Sequence, residues 1–391
     1  MKWLVAVVAC GACSAPAAAH GPPWVDGPTL PAARIEAGVS AVGDQLVVIG
    51  GFSDGPALTN EVDVIDTAEL VGSGSSTAWI ASGSSDPQAI PAFPEQWTHF
   101  QLAAVGTRLY VLGGLGGGLL GNNYVAFGDS FVFDTAEQDP TKRVWTPISP
   151  MPAGQERGSS GVVVIPPKIY LFGGASSSTP DPRAGALASN LSYDIEGDFW
   201  CPDATDPIAC PPGDDLPDLP AVRSHPAAIA QSDGTFVVAG GLATLFSQDA
   251  QPDVWWLPPA LGGQPRAWIT KTSMPSARGG CAYGNIGGRL ICAGGESVCN
   301  ANTACALSSA YAYTPAQDGA TPDHPWCRLT DLPGARAGGN GTAVGDRLFV
   351  AGGATALVLD PTSSLFVYSP GDDPALDPIP DTAHDTMLCE N

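Results

Sequence analysis

Five histidines, ten cysteines and 39 carboxylates set against 16 lysines and arginines are the groups in this 391-residue chain with chemistry to offer. Catalysis needs several such groups within reach of one another, and no spacing in the sequence supplies a nucleophile with its base or a pair of acids. The histidines are His20, His99, His225, His324 and His384. Two have neighbours of interest: His225 follows Ser224, and His99 stands two residues beyond Trp97. Eight cysteines follow the first twenty residues, and none of the eight forms the CxxC pair of a zinc site. They read instead as disulfides. Cys281 and Cys292 flank a turn at residues 285–288 and would lie opposite each other if Asn285 pairs with Gly288. Cys201–Cys210 and Cys299–Cys305 would each close a short loop, which leaves Cys327–Cys389. The acidic stretches at residues 214–218 and 372–385 are Pro-rich and lack the ligand spacing of a calcium loop. They read as solvated loop and tail. Neither a metal nor a cofactor is expected. A net charge of −23 argues against nucleic acid and anionic membranes as partners, because both need basic patches.

The elements that must position these groups are repeats. Short apolar runs end in a double glycine six times, at Gly50-Gly51, Gly113-Gly114, Gly173-Gly174, Gly240-Gly241, Gly294-Gly295 and Gly352-Gly353. A Pro-x-x-Arg mark precedes most of them, at Arg34, Arg223, Arg278 and Arg336. The third copy is stretched, ending in Arg157, and the second has Trp97 in the arginine's place. After each doublet comes a further apolar strand, and then a tryptophan in five copies: Trp79, Trp145, Trp200, Trp268 and Trp326. The unit is four short strands. With 48 Gly, 38 Pro and no long helical pattern, the fold class is all-β. The sixth copy lacks its own tryptophan after Tyr368, and Trp24 supplies it, since Trp-x6-Pro links Trp24 to Pro31 as it links Trp145 to Pro152. The N-terminal strand is therefore expected to complete the last blade and remove the open edges of the ring.

The double glycine, the Tyr or Phe strand behind it and the tryptophan at a set distance resemble the Kelch repeat over roughly residues 22–370. The resemblance implies a six-bladed β-propeller. It also implies that ligands meet the face formed by the start of each first strand and the loop after each double glycine. That face carries Glu36, His99, Ser159, His225, Gly280 and Gly338 at equivalent positions, and Phe52, Asp54 and Glu296 in the loops. The ligand-contact candidates are Trp97, His99, Ser224, His225, Glu36, Glu296, Phe52 and Asp54. The repeated arginines Arg34, Arg157, Arg223, Arg278 and Arg336 are read as structural, bonding carbonyls between neighbouring blades. Copper-radical oxidases of this fold need a Tyr-His pair that is absent here. A sialic acid mutarotase on the same propeller needs only a charged pair near the axis, for which Glu36, Glu296 and Arg278 are the candidates. The leading expectation is a binding module for a protein or carbohydrate, with a small-sugar enzyme as the alternative. A monomer is expected.

The first 19 residues read as a signal peptide: Lys2, a short apolar run, and Ala17-Ala18-Ala19 ahead of His20. Val7-Val8-Ala9-Cys10 loosely matches a lipoprotein box, so a lipid-anchored form stays open beside free secretion to the periplasm or outside. No segment offers the roughly 18 apolar residues of a membrane helix. The expected domains are the leader at residues 1–19, the propeller at 20–370 and an acidic tail at 371–391.

Overall fold

A computed structural model of the chain describes residues 21–53, 55, 57–71, 78–117, 124–176, 185–202, 210, 216–245, 247–260, 262, 265–300, 303–320, 324–357 and 360–376. Residues 1–20, which include the segment expected to be a leader, together with Asp54, Cys389 and most of the C-terminal acidic stretch, lie outside the described residues. Six antiparallel sheets of four strands surround one axis. Blade one is Gly38–Val42, Gln45–Ile49, Val62–Asp66 and Ile80–Ala81. Blade two is Gln101–Val105, Arg108–Gly116, Val125–Asp134 and Thr146–Ile148. Blades three to five follow the same order from Gly161–Ile165, Ala227–Ala230 and Ala282–Ile286. Blade six takes Asn340–Val344, Arg347–Ala351 and Leu365–Tyr368 from the C-terminal end, and Trp24–Asp26 from the N-terminal end. The expected closure is present: Trp24 pairs with Tyr368, Val25 with Val367 and Asp26 with Phe366.

The second and third strands of the blades are mostly buried on both faces because their neighbours are other blades, so they read as apolar runs, whereas outer strands such as Thr146–Ile148 and Ile269–Lys271 are largely exposed. One apolar cluster fills each interface between successive blades. Between blades one and two it holds Val47, Val64, Leu109 and Phe131, and between six and one it holds Phe349, Val367, Leu46 and Val48. The first strands line a central channel of about 450 Å³.

Three repeated bonds join the blades. The tryptophan of each fourth strand donates its indole N–H to a carbonyl of the preceding blade: Trp79 to Pro28, Trp145 to Pro91, Trp200 to Ser149, Trp268 to Pro217, Trp326 to Thr272 and Trp24 to Thr330, all at 2.8–3.0 Å. In three blades an aspartate five residues after a tyrosine grips the same residue by its amide. Asp198 binds Tyr193 and Ser149, Asp318 binds Tyr313 and Thr272, and Asp373 binds Tyr368 and Thr330. Asp373 falls in the stretch read as solvated tail, yet it is buried and serves the last blade.

The third bond explains the double glycine. The amide of the second glycine donates to the carbonyl at the next blade's arginine position: Gly51 to Trp97, Gly174 to Arg223, Gly241 to Arg278, Gly295 to Arg336 and Gly353 to Arg34, at 2.7–3.0 Å. Both glycines of each pair have positive φ, where L-residues are disfavoured. A Cβ on Gly240 would also stand 2.6 Å from the Arg278 carbonyl oxygen.

Two expectations are corrected. The arginines bond within their own blades rather than between them. Arg278 binds the carbonyls of Gly294 and Ser309, Arg157 those of Gly173 and Ser189, Arg336 the Ser364 hydroxyl, Arg34 the carboxylates of Glu61 and Asp63, and Arg223 the carboxylate of Asp253. In blade five the hairpin pairs Ile286 with Arg289, so the turn is Gly287-Gly288. Both have positive φ, as a type I′ turn requires. The Cys281–Cys292 disulfide forms in this shifted register, alongside Cys201–Cys210 and Cys299–Cys305. Cys327 is also disulfide-bonded.

Deleting residues 20–30 removes the outer strand of blade six and is expected to unfold or aggregate the ring, read by size-exclusion chromatography and thermal melting. A monomer with the parent's melting temperature would refute closure by this strand. Gly240→Ala should lower stability by about 2 kcal/mol or more, from the left-handed backbone alone and before the clash. Chemical denaturation checks it.

Candidate functional site

The residue two beyond each arginine position has positive φ in all six blades: Glu36, His99, Ser159, His225, Gly280 and Gly338, at 53–60°. Their backbones form a chain of hydrogen bonds around the axis. Glu36 donates to Gly338, His99 to Glu36, Ser159 to His99, His225 to Ser159 and Gly280 to His225. This left-handed turn is uncommon for non-glycine residues and clusters at sites where surrounding structure enforces it. Here the enforcing structure is the pair of bonds on either side. The residue before each turn pairs with the residue after its own blade's double glycine, as in Ile35 with Phe52, Ser224 with Leu242 and Gly279 with Glu296.

Three side chains of this ring converge. Glu36 Oε2 lies 3.6 Å from His99 Nε2, and the His99 and His225 rings are 5.2 Å apart. One donor atom from each of the three lies within 4.8 Å of the others. Gly338 makes room for the group, since a Cβ there would occupy the place of the Glu36 carboxyl. Around them is a cavity of about 300 Å³, walled by Phe52, Tyr124, Glu296 and apolar loop residues such as Leu245 and Leu357. Tyr124 begins the long arm of blade two, and Glu296 begins an extra hairpin in blade five, Glu296–Asn300 with Thr303–Ala306.

The hydroxyls behind the histidines settle their tautomers. Ser224 Oγ donates to the Thr244 carbonyl at 2.7 Å, so towards His225 Nδ1, 3.0 Å away, it accepts. Thr98 Oγ1 donates to the Glu36 carbonyl at 3.0 Å and accepts from His99 Nδ1 in the same way. Both protons therefore sit on Nδ1, and both Nε2 atoms present a lone pair. His225 Nε2 is buried and has no hydrogen-bond partner. Burial holds both imidazoles neutral, with pKa values lowered to about 4. Burial likewise pushes the Glu36 carboxyl up, against a smaller opposing pull from His225. Tyr124 is raised to about 12 by burial and by the nearby charges of Glu36 and Glu296.

Among the sequence candidates, Glu36, His99, His225, Glu296 and Phe52 line this cavity. Ser224 is fully buried and acts behind His225. Trp97 is in the core between blades one and two, stacked on Phe127 at 5.3 Å. Asp54 lies outside the described residues. Arg278 is held inside blade five and is no part of the pocket. Tyr124 was missed, because it lies in an insertion that the repeat does not contain. The grouping of Glu36, His99 and His225 was missed as well. Its signal was present: three ionisable residues at one repeat position, which a closed ring must carry to one axis.

No family model matches the chain. A Kelch-like protein of Aspergillus terreus, terF, is 27% identical over 366 residues, covering 90% of this chain and 67% of that one. The solved structure of YjhT superposes with a TM-score of 0.65 over 86% of this chain and 95% of its own, at 16% identity. The chain is a Kelch-repeat β-propeller. As a Kelch propeller, it has its candidate site on the face built from the starts of the first strands and the loops after the double glycines.

Trp97 in this Kelch ring is a packing residue, so Trp97→Ala should cost about 3–5 kcal/mol of stability. Denaturant titration checks this. A variant as stable as the parent would return Trp97 to the list of ligand contacts.

Proposed function

We propose that this Kelch propeller binds a small, hydroxyl-rich molecule of about monosaccharide size in the axial pocket. The observation that carries the reading is that, among the described residues, His225 Nε2 is buried without a hydrogen-bond partner, beside the His99 Nε2 lone pair and the Glu36 carboxyl. A buried acceptor without a donor costs free energy until a ligand brings one, and a polyol brings several hydroxyls to the group. A cavity of about 300 Å³ suits such a ligand. It offers a protein partner little flat surface. The apolar walls from Phe52, Leu245 and Leu357 would take the C–H face of a sugar ring.

A second reading has a specific observation behind it. A carboxyl pushed towards its protonated form beside unprotonated imidazoles is an acid–base arrangement, which a small-sugar enzyme of the mutarotase type would use. Arg278 plays no part in it. Export to an oxidising compartment is part of the proposal and is supported by the disulfides at Cys201–Cys210, Cys281–Cys292 and Cys299–Cys305. Among the described residues no helix is long and apolar enough to cross a membrane.

Saturation-transfer NMR against a panel of monosaccharides and sugar acids tests the proposal. At least one should bind, with affinity lowered about tenfold or more in Glu36→Gln, the loss expected when one charge-assisted hydrogen bond becomes neutral. No binder in the panel, or a binder indifferent to Glu36→Gln, defeats it. Anomer exchange followed in the same samples decides the second reading: catalysis would accelerate exchange, and Glu36→Gln would abolish the acceleration.

A further inference from the structure

Glu36, His99 and His225 come from three different blades and aim three electron-pair donors at a shared space. A proton does not resolve the arrangement. At 3.6 Å the carboxyl oxygen is too far from His99 Nε2 for a good hydrogen bond. A proton placed there would still leave His225 Nε2 buried without a partner. We infer that these three side chains form a binding site for one divalent first-row transition-metal ion, with open coordination positions facing the axial pocket.

The donor set is two imidazole nitrogens and one carboxylate oxygen, which suits zinc, ferrous iron, manganese or cobalt rather than calcium, whose ligands are oxygens. The spacing suits one ion. Bonds of about 2.0–2.2 Å need donors about 3–4 Å apart, as Glu36 and His99 already are. With all three atoms within 4.8 Å, a side-chain adjustment of about 1 Å brings in His225. The outer shell is also built. Each histidine is fixed through Nδ1 by a hydroxyl whose own proton is committed elsewhere, so each Nε2 is held in the tautomer that binds metals. That pattern recurs at two histidines in separate blades, which packing alone does not require. The inference rests on the axial-pocket reading only for what the ion would meet there, namely ligand hydroxyl oxygens at the open positions.

The test uses the chain stripped of metal with a chelator and titrated with Zn²⁺ by calorimetry, with Co²⁺ absorption as a spectroscopic check on nitrogen ligation. Copper is avoided as a probe, because an N-terminal histidine could bind it independently. We expect one Zn²⁺ per chain. Affinity should fall about tenfold or more in Glu36→Gln, His99→Ala and His225→Ala, and about 10–100-fold in Ser224→Ala, which acts only by positioning His225. His324→Ala should change nothing. Melting curves of the metal-free variants check folding. If a histidine variant does not fold, Glu36→Gln, nearly identical in shape, carries the test. No stoichiometric Zn²⁺ binding, or binding unaffected by Glu36→Gln and Ser224→Ala, overturns the inference. Running the sugar panel with chelator and again with Zn²⁺ separates the two failures. A sugar that binds equally well with chelator and with Zn²⁺, while calorimetry shows no stoichiometric Zn²⁺ uptake, supports the pocket and sinks the metal. Zn²⁺ binding with no sugar in either arm does the reverse.

Discussion

Where two blades meet, the amide of the second glycine in one blade reaches the carbonyl at the arginine position of the next, and most of the molecule follows from that contact. Backbones must approach closely for it to form, which excludes a Cβ at the doublet and forces both glycines into left-handed conformations. One such bond is worth only about 0.5–1.5 kcal/mol. Repeated around a closed ring, however, it fixes the distance and angle between blades, and the apolar clusters fill whatever space that geometry leaves. Tryptophan and aspartate hold the outer parts of the same interfaces. The arginine itself is aimed back into its own blade, so its main chain serves the neighbour while its side chain serves the strand behind it.

That division has a consequence for the site. Once the carbonyl at the arginine position is committed to the neighbouring blade, the chain must turn sharply into the first strand, and it does so through a left-handed residue one step inside the next bridge. The six left-handed residues are then linked amide to carbonyl around the axis. Their side chains have no sheet to lie on. They project over the mouth of the channel, where glycine leaves space and Glu36, His99 and His225 use it. Because the same interface bonds that stabilise the ring hold their backbones, these groups stay in place although their own environment opposes their charges.

Almost all of the fold was legible in the sequence, since the marks that repeat are the ones that packing requires. The doublets, the tryptophans and the displaced Trp24 stand in the structure as blade ends, fasteners and closure. What resisted reading has physical causes. The direction of the arginine side chains depends on which carbonyls, hydroxyls and carboxylates of their own blade are within reach, which no spacing records. The hairpin register in blade five turned on whether Gly287-Gly288 or a longer turn was used, and two positive-φ glycines decide that only once the strands are built. Asp373 looked like one more acid in a solvated tail, although Tyr368 precedes it by the same interval that links Tyr193 to Asp198 and Tyr313 to Asp318. The pocket residues were visible singly and not as a group, because convergence is a property of the ring and not of the chain.

The pseudo-sixfold axis also clarifies how such a scaffold acquires function. Six backbone slots of one conformation encircle the mouth of the channel, and interface bonds that are indifferent to the side chain hold each of them. A slot can therefore change residue at little cost to the fold where there is room for a side chain and the residue tolerates positive φ; at Gly338 the Glu36 carboxyl already takes that room. In this chain two slots hold glycine, one holds serine, and the remaining three hold groups that bind protons or metals. The asymmetry is reinforced by the two departures from the repeat, the long arm of blade two and the hairpin of blade five, which bring Tyr124 and Glu296 to the same cavity. Chemistry on this propeller thus depends on breaking the symmetry that stabilises it: the repeated positions supply the cage, and the non-repeated ones supply its contents.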